Sequence, residues 1–494
     1  MTKNTQYQKL SDHFQQIYHF EHLSAMGSWD QATMMPKGGN SPRSAAMATL
    51  SKHIHQMQTA DWLADTIAQA EDESLTKAQQ ANLKEIKHQY LLSSAVNGDL
   101  VEAKSLAANK CEHAWREQRN NNDWQGFKPN LEAVIKLTRE EAQTRSEALN
   151  ISPYDALLNK FEPGINTAQL ESLFNPLALT LPSLIKEVME KQQFDDNFSL
   201  TGIYDINAQE ALNRHVMELM EFDFNHGRLD ISSHPFTGGV PGDVRLTTRF
   251  DETDFTSALM GTVHETGHAL YEQGLPIEFR GQPAGNARSM GVHESQSLFC
   301  EMQLGRGQGF LHLMRPLINR HLNQKLTQAQ LQNLYTRVKP NLIRVDADEV
   351  TYPCHIFLRF EAEKALVDGS LDVVDLPDFW SSKMQSLLGI NTDGNYSDGC
   401  MQDIHWTLGE LGYFPSYTLG SMIAAQLRFA IEKQLGNLDE LIKSGQIGLI
   451  FNWLKHNVWS KGSLLSTDEL LTSATGEGLN SQYFEKHLRQ RYLK

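Results

Sequence analysis

The chain has 494 residues, of which 40% are hydrophobic and 21% charged, so it can bury a sizeable core and disorder is not expected. Its 44 basic and 60 acidic residues give a formal net charge of −16. This acidic balance argues against a nucleic-acid-binding protein, which usually carries a basic face, and against adhesion to anionic membranes.

The cysteines are few and scattered, at Cys111, Cys300, Cys354 and Cys400, and none forms a CxxC pair. Neither a cysteine zinc knuckle nor a thioredoxin-like redox motif is expected, and the spacing is unlike a disulfide framework. No stretch approaches the ~18 apolar residues of a membrane span, and the N-terminal segment lacks the apolar centre of a signal peptide. We therefore expect a soluble cytoplasmic protein.

Helical periodicity dominates the chain. Between Asn207 and Phe224, apolar residues recur at three- and four-residue spacing, as in an amphipathic helix. Similar stretches lie near 42–70, 98–120, 166–190, 308–337, 417–436 and 479–493. Because no internal repeat, low-complexity tract or long flexible linker separates them, we predict one compact, mostly helical domain over residues 1–494.

Alternation typical of a β-strand is scarce. The best candidate is Asp243–Phe250, where Val244, Leu246 and Thr248 alternate with polar residues. It follows a segment rich in turn-forming residues, Ser232–Gly242. We predict a small hairpin or a three-stranded sheet in this part of the chain.

The next predicted element is a long helix over Thr253–Gly274. Thr253 or Asp254 can cap its start, and Gly274 followed by Pro276 can end it.

This helix contains the sequence HETGH, an HEXXH motif. His264 and His268 are four residues apart, so their imidazoles stand on one helical face and can both reach a metal at ~2.0–2.1 Å. Glu265 points in another direction but can reach a water bound to that metal. The motif predicts a zinc peptidase, with His264 and His268 as ligands and Glu265 as the general base.

A third ligand is expected from a later helix. Tyr271 and Gly274 occupy positions where a metzincin needs Gly and His, which excludes that class. The window in which thermolysin-like enzymes place a glutamate holds residues 287–289, without an acidic residue. The first glutamate beyond it is Glu294, in an amphipathic segment over 291–304. Glu294 would complete a His₂Glu site with an open fourth position.

Three other glutamates are rival ligands. Glu272 lies one turn beyond His268 but too far along the same helix to share its metal comfortably, and Glu278 lies in a predicted loop. Glu301 is two turns beyond Glu294, so it is more typical of a residue that supports a metal ligand or is exposed to solvent. A structural zinc site would need a fourth protein ligand, and the sequence suggests none.

The predicted chemistry follows from the charges of this site. Two neutral imidazoles and one carboxylate leave the metal positive, which lowers the pKa of a bound water toward ~7. Glu265 would accept the proton of that water and pass it to the departing amine, while at least one further donor stabilises the oxyanion.

The metal motif stands within a larger set of ordered motifs. They are HPF (His234–Phe236), DXRXT (Asp243–Thr247), HETGH (His264–His268), HESQS (His293–Ser297), IRXXAD (Ile343–Asp348) and GXXQDXHW (Gly399–Trp406). With Trp29–Pro36 and Tyr154–Gly164, this set resembles the carboxypeptidase Taq family of metallopeptidases over most of the chain.

The resemblance implies a metallocarboxypeptidase that removes single C-terminal residues from peptides. It also implies a mainly helical fold with a deep groove and a small sheet beside the active site, similar to neurolysin and angiotensin-converting enzyme. Zinc is the expected metal, with cobalt as a frequent substitute, and a homodimer is the common assembly.

A carboxypeptidase must bind a free carboxylate, and a buried arginine suits that bidentate contact. Arg245 and Arg344 lie in the family motifs and are the candidate substrate-binding residues. Asp243 and Asp348 are candidates to orient them, or are structural partners in salt bridges.

Further site residues follow from the related folds, in which a histidine and a tyrosine beyond the metal helices bind the oxyanion or the substrate backbone. His405 and Tyr417 are therefore predicted to be catalytic, and Tyr413 to bind substrate. His234 is predicted either to contact substrate or to fix the hairpin.

Two alternatives to a carboxypeptidase remain at this stage. An oligoendopeptidase on the same scaffold would share the metal site but would not need Arg245 or Arg344 as an anchor. A catalytically silent peptide-binding protein would not need Glu265, because zinc binding does not require that residue. Neither the preferred side chain at the cleaved residue nor the physiological substrate follows from the sequence.

Overall fold

The computed structural model describes residues 5–193 and 198–494. These parts form twenty α-helices and one small sheet, and no helix in them is long and apolar enough to cross a membrane. The helices are α1 Gln6–Thr33, α2 Asn40–Gln58, α3 Leu63–Glu71, α4 Lys77–Ser94, α5 Gly98–Asn120, α6 Trp124–Leu149, α7 Pro153–Leu158, α8 Thr167–Gln192, α9 Ile206–Leu219, α10 Phe255–Gly274, α11 Met290–Leu298, α12 Gln308–His321, α13 Gln328–Thr336, α14 Tyr352–Asp368, α15 Leu376–Leu388, α16 Pro415–Leu435, α17 Leu438–Lys443, α18 Ile447–Asn457, α19 Thr467–Thr475 and α20 Gln482–Leu493. The predicted mainly helical class is confirmed.

Local signals set several helix boundaries. α4 begins with a capping box in which Thr76 and Gln79 exchange side-chain and backbone hydrogen bonds, and α8, α13 and α19 begin in the same way. The predicted stretch 308–337 is divided into α12 and α13 because Asn323, with φ of 50°, adopts a left-handed conformation that ends a helix. The stretch 42–70 likewise divides into α2 and α3.

The sheet has three strands, β1 Gly227–Ile231, β2 Thr237–Val240 and β3 Asp243–Thr248, in the order β1-β3-β2. β1 is parallel to β3, and β2 is antiparallel to it with Gly239 opposite Val244. The prediction of a three-stranded sheet is confirmed, although β2 lies inside the segment that its composition marks as turn-rich.

The apolar core has two large parts, which meet at α16. One part is built mainly from α9 to α12, α18 and α19, and the other from α6 to α8, α14, α15 and α20. Ile423 and Leu427 of α16 pack in the first part, whereas Leu419 and Met422 pack in the second. A smaller cluster lies among α1, α2, α3 and α4. The candidate site lies where the two large parts meet. The single domain predicted from the sequence over residues 1–494 stays a prediction.

Candidate metal centre and substrate site

The HEXXH residues lie on α10, whose start is capped by Asp254 through a hydrogen bond from the backbone of Thr256. The rings of His264 and His268 are 5.0 Å apart between centroids, one helical turn along the same face. Both side chains are largely buried yet still reach solvent. The helix therefore presents two imidazoles to one point that water can enter.

Glu294 comes from α11, which is packed very closely between α10 and α16. A Cβ atom at Gly267 of α10 would lie 2.5 Å from the carbonyl oxygen of Gln296, and one at Gly420 of α16 would lie 2.8 Å from Cγ of Glu294. Glycine at these two positions lets the three helices approach. This close packing brings the Glu294 carboxylate to His264 and His268.

The three side chains fit a divalent metal. One ligand atom from each of His264, His268 and Glu294 can be chosen so that all lie within 4.8 Å of one another, and Nε2 of His268 is 3.5 Å from Oε2 of Glu294. Two imidazole nitrogens and one carboxylate oxygen are the donor set of catalytic metal sites that keep an open position. The rival glutamates do not join this group of three. Glu301 bonds to His264, Glu272 bonds to His293, and Glu278 is exposed.

Glu301 orients His264. After α11 the chain continues as a π-helical segment, Phe299–Gly305, a wide turn that is rare and often found at functional sites. In it, Oε2 of Glu301 is 2.9 Å from Nδ1 of His264, while its other oxygen pairs with Arg306 at 2.6 Å. Nε2 of His264 is thereby left for the metal.

A second chain of contacts orients His268. Nε2 of His293 is 2.8 Å from Glu272, and its Nδ1 is 2.7 Å from Nδ1 of His268. When His293 is neutral and donates to Glu272, its Nδ1 accepts from Nδ1–H of His268. His268 then directs the lone pair of Nε2 toward Glu294 and the metal position.

The charges around His264 favour its protonated form, with which a metal would compete. Burial alone would lower the pKa of His264, but the Glu301 hydrogen bond and the charge of Glu294 raise that pKa to about 10. A metal needs the neutral imidazole, so binding is coupled to proton release.

Glu265 is held by the sheet. Its Oε2 accepts a hydrogen bond of 2.6 Å from the hydroxyl of Thr237 on β2, and its side chain is buried. The carboxylate therefore has a defined direction beside the metal ligands. Thr237 was not predicted from the sequence, where the only signal is its position directly after the HPF motif.

A buried arginine cluster joins Arg344, Arg359 of α14 and Asp403. Arg344 pairs with Asp403 at 3.0 Å and donates from Nη1 to the hydroxyl of Tyr352 at 2.7 Å. Asp403 also pairs with Arg359 at 2.5 Å. Burial would raise the pKa of the Asp403 carboxyl, but the two guanidinium charges hold it at about 2.

The expected partner of Arg344, Asp348, is engaged elsewhere. Its carboxylate accepts hydrogen bonds from the backbone amides of Lys339, Val350 and Thr351. Asp348 thus fixes the turn that precedes α14, and Asp403, instead of Asp348, pairs with Arg344.

His405, Tyr413 and Tyr417 are gathered beside Arg344. The rings of His405 and Tyr413 are 5.4 Å apart, as are those of Tyr413 and Tyr417, and the Arg344 guanidinium lies 5.2 Å from the Tyr417 ring. Burial and the Arg344 charge lower the pKa of His405 to about 4, so its ring is neutral at neutral pH. Its Nδ1 is buried and has no partner among the described residues.

The tyrosines connect this group to the metal ligands. Burial, followed by the charge of Glu294, raises the pKa of Tyr413 to about 12. Burial also raises the pKa of Tyr417, to which Glu294 contributes. Both phenols therefore stay protonated at neutral pH and can donate hydrogen bonds.

Arg245 and His234 lie on the other side of the site. Arg245 forms a bidentate salt bridge with Asp243, in which Nε donates to Oδ1 at 2.8 Å and Nη2 donates to Oδ2 at 2.7 Å. The pair lies on the sheet face opposite the buried Val244 and Leu246. This hydrogen bond lowers the pKa of Asp243. The His234 side chain is exposed beside β2.

The N-terminal helix covers this part of the sheet. Trp29 of α1 donates from Nε1 to Asp230 at 3.0 Å and packs against Phe236 with a ring distance of 5.1 Å. Arg245 and His234 are thus placed near α1, whereas Arg344 is placed near α16.

Two residues of the arginine cluster were not singled out from the sequence. Asp403 stands in the GXXQDXHW motif, and its presence there is the signal that points to it. Arg359 lies in the apolar run IFLRF of α14, where a charged residue among buried neighbours is the only indication.

A mainly helical chain with this donor set, a positioned glutamate and a buried arginine is a metal-dependent peptidase. The family model described as "Carboxypeptidase Taq (M32) metallopeptidase" matches residues 9–492. The chain therefore belongs to the carboxypeptidase Taq (M32) family, and it is a metallocarboxypeptidase.

Individual relatives agree. The chain is 36% identical to thermostable carboxypeptidase 1 of Thermus thermophilus, over 100% of this chain and 99% of that protein. It is 35% identical to carboxypeptidase 1 of Bacillus subtilis, with the same coverage. Its structure is similar to metallocarboxypeptidase 1 of Trypanosoma cruzi, with a TM-score of 0.97, 41% identity and 99% of both chains covered.

Proposed function

We propose that this metallocarboxypeptidase releases single amino acids from the C-termini of peptides, using a zinc ion and Glu265 as the general base. The observation that carries the proposal is the position of Arg344 relative to the metal ligands. Arg344 lies against the ring of Tyr417 near the start of α16, and Gly420 of the same helix packs directly against Glu294. A terminal carboxylate bound by Arg344 would thus lie beside the helix that contacts the candidate metal ligand Glu294.

Zinc fits the donor set best. His264 and His268 offer nitrogen and Glu294 offers oxygen, a combination that is common for catalytic zinc and that also accepts cobalt. A bound zinc ion would acidify a water and polarise the scissile carbonyl.

Side chains of this protein transfer the protons and donate the hydrogen bonds that the reaction needs. Glu265, held by Thr237, takes a proton from the attacking water and delivers it to the departing amine. The phenols of Tyr417 and Tyr413, which stay protonated, donate to the developing oxyanion or to the substrate backbone. Neutral His405 offers a further N–H beside them.

Arg344 is the preferred carboxylate anchor. Its side chain is 7% exposed, so it touches solvent from an otherwise buried site. The aromatic rings of Tyr417 and Phe414 lie 5.2 and 5.3 Å from its guanidinium. Arg245 forms a one-to-one pair with Asp243, which leaves less charge for a ligand. We propose that Arg245 and His234 contact the substrate further from its C-terminus.

The setting proposed for the enzyme is the cytoplasm, where it would act as a homodimer on peptides. Its four cysteines are all buried free thiols, as suits a reducing compartment. The dimer rests on the family resemblance, and light scattering of the purified chain measures it.

The decisive experiment is a mass-spectrometric time course on one peptide in three forms: with a free C-terminus, with a C-terminal amide, and with an acetylated N-terminus. The metal-replete protein is compared with Glu265→Gln, which keeps the metal ligands. We expect stepwise loss of single C-terminal residues that the amide blocks and acetylation does not affect.

Other results would count against the proposal in distinct ways. Internal cleavage that ignores the amide is the activity of an oligoendopeptidase, which family membership does not favour. Equal turnover by Glu265→Gln would remove the general-base role while leaving the exopeptidase activity in place.

A further inference from the structure

Arg359 is a cation sealed inside the protein behind the proposed carboxylate site. Its side chain is fully buried on α14, and its guanidinium lies 4.7 Å from the ring centroid of Trp380. Nε donates to Oδ2 of Asp403 at 2.7 Å, and Nη1 donates to the carbonyl oxygen of His355 at 2.7 Å. Because its side chain is fully buried, Arg359 has no surface to offer a substrate, and Asp403 is the group that links it to Arg344.

Asp403 is shared between two arginines. Its Oδ1 faces Arg344 at 3.0 Å, and its Oδ2 faces Arg359. The three groups therefore carry two positive charges and one negative charge. If Arg359 were absent, Asp403 would neutralise Arg344 completely.

The next carboxyl group does not cancel the surplus charge by direct pairing. Glu363 lies close enough to interact electrostatically with Arg359. Burial raises the pKa of Glu363 to about 7, however, so this carboxyl is only partly ionised at neutral pH. Its oxygens accept hydrogen bonds from Tyr154, Trp406 and Gly412. A net positive charge thus remains in a site from which water is largely excluded, an unfavourable state that an incoming anion relieves.

Arg344 has donors left for that anion. A guanidinium has about five N–H groups. Nε and Nη2 of Arg344 face Asp403, and Nη1 donates once to Tyr352. One N–H remains on each terminal nitrogen, enough for the two oxygens of a carboxylate.

We propose that Arg359 is a positioning residue for C-terminal recognition: it offsets the charge of Asp403, so that Arg344 keeps a positive charge for the terminal carboxylate of the substrate. This inference rests on the proposed carboxypeptidase function. It makes the recognition element a two-arginine, one-aspartate unit in which Asp403 sets the direction of Arg344 and Arg359 sets its net charge.

A series of variants that changes this charge tests the proposal. The substrate is an N-acylated dipeptide with a free C-terminus, and KM and kcat are measured for the metal-replete wild type, Arg359→Met, Arg359→Lys and the double variant Asp403→Asn/Arg359→Met. In Arg359→Met the unit becomes neutral, whereas the double variant restores one positive charge on Arg344. Thermal unfolding of each variant is recorded alongside.

We expect Arg359→Met to raise KM on the order of 10- to 100-fold, with kcat changed by no more than about threefold, because Asp403 then neutralises Arg344 and the anion-binding unit loses its net positive charge. Arg359→Lys and the double variant should recover most of that loss. A residue that only packs would give a different pattern, with the double variant as impaired as the single variant or more so.

The outcomes separate the two proposals. A wild type that releases no C-terminal residue counts against the proposed function itself. A wild type that does so, together with an unchanged KM in Arg359→Met or no recovery in the double variant, overturns the role of Arg359 alone. If Arg359→Met fails to fold, Arg359→Gln takes its place in the same comparison.

Discussion

The hydroxyl of Thr237 donates a hydrogen bond of 2.6 Å to Oε2 of Glu265, and so joins the edge strand of the sheet to the HEXXH helix. The same oxygen of Thr237 lies 3.0 Å from the backbone carbonyl oxygen of Glu265. A strand that packs against α10 thus sets the direction of the carboxylate that we propose as the general base.

Replacing Thr237 by valine should lower kcat by about tenfold with little change in KM, because a base that loses its direction transfers protons less effectively. Metal content should stay the same, since the hydroxyl of Thr237 bonds to Glu265, which is not a candidate metal ligand. Thr237→Ser keeps the hydroxyl and serves as the matched control, for which we expect kcat close to the wild-type value. A serine variant as slow as the valine variant would show that the methyl packing matters and the hydrogen bond does not.

The Glu301–His264 contact should control metal affinity. Glu301→Gln removes the charge that orients His264 and holds Arg306, and partners of this kind contribute about 10- to 100-fold in affinity. Competition with a chromogenic chelator measures the effect. The control is Glu278→Gln, which changes an exposed glutamate just after α10, the helix that carries His264. Equal affinity for the two variants would rule out this role for Glu301.

The two candidate carboxylate anchors can be separated by matched substitutions. Arg344→Lys keeps a charge but loses the fork of donors, and we expect KM for peptides with a free C-terminus to rise by about tenfold. Arg245→Lys should change KM by less than about threefold, because Asp243 already neutralises that arginine. The reverse ranking would make Arg245 the anchor and remove the basis for Arg344.

A buried ion cluster around Glu141 should make stability depend on pH. Glu141 lies among Lys104, Arg145 and Lys160. Burial would raise its pKa, but these cations lower it from 4.5 to about 2. Because the folded-state pKa is depressed, the stabilisation is complete above the unfolded pKa of 4.5 and is lost as pH falls toward about 2.

We therefore expect Glu141→Gln to be less stable than the wild type at neutral pH by roughly 3 kcal/mol, a fall of a few degrees in Tm. The difference should shrink between the unfolded and folded pKa values of Glu141. Calorimetry of both proteins across that range measures it, and exposed Glu140→Gln is the control. A difference that stays constant with pH would mean that packing, rather than charge, accounts for the loss.

The sequence predicted the candidate metal ligands and much of the secondary structure because these depend on short spacing. His264 and His268 share a face through helical geometry alone, and helix starts such as the Thr76 capping box are encoded within four residues. Glu294 could be selected because few acidic residues follow the motif at a suitable distance. The ordered motifs also indicated the family, which the comparisons confirm.

Only the tertiary structure decided which groups orient these residues. Thr237 and Glu265 are 28 residues apart, Glu301 and His264 are 37 apart, and Asp403 lies 59 residues from Arg344. Each pair meets through the packing of different helices and strands, which no local spacing reveals. Asp348 was as reasonable a partner for Arg344 in sequence, yet it bonds to backbone amides while Asp403 takes the arginine. Hydrogen-bond partners and net charge in the site are thus properties of the packed fold, whereas the spacing of ligands along one helix is a property of the sequence.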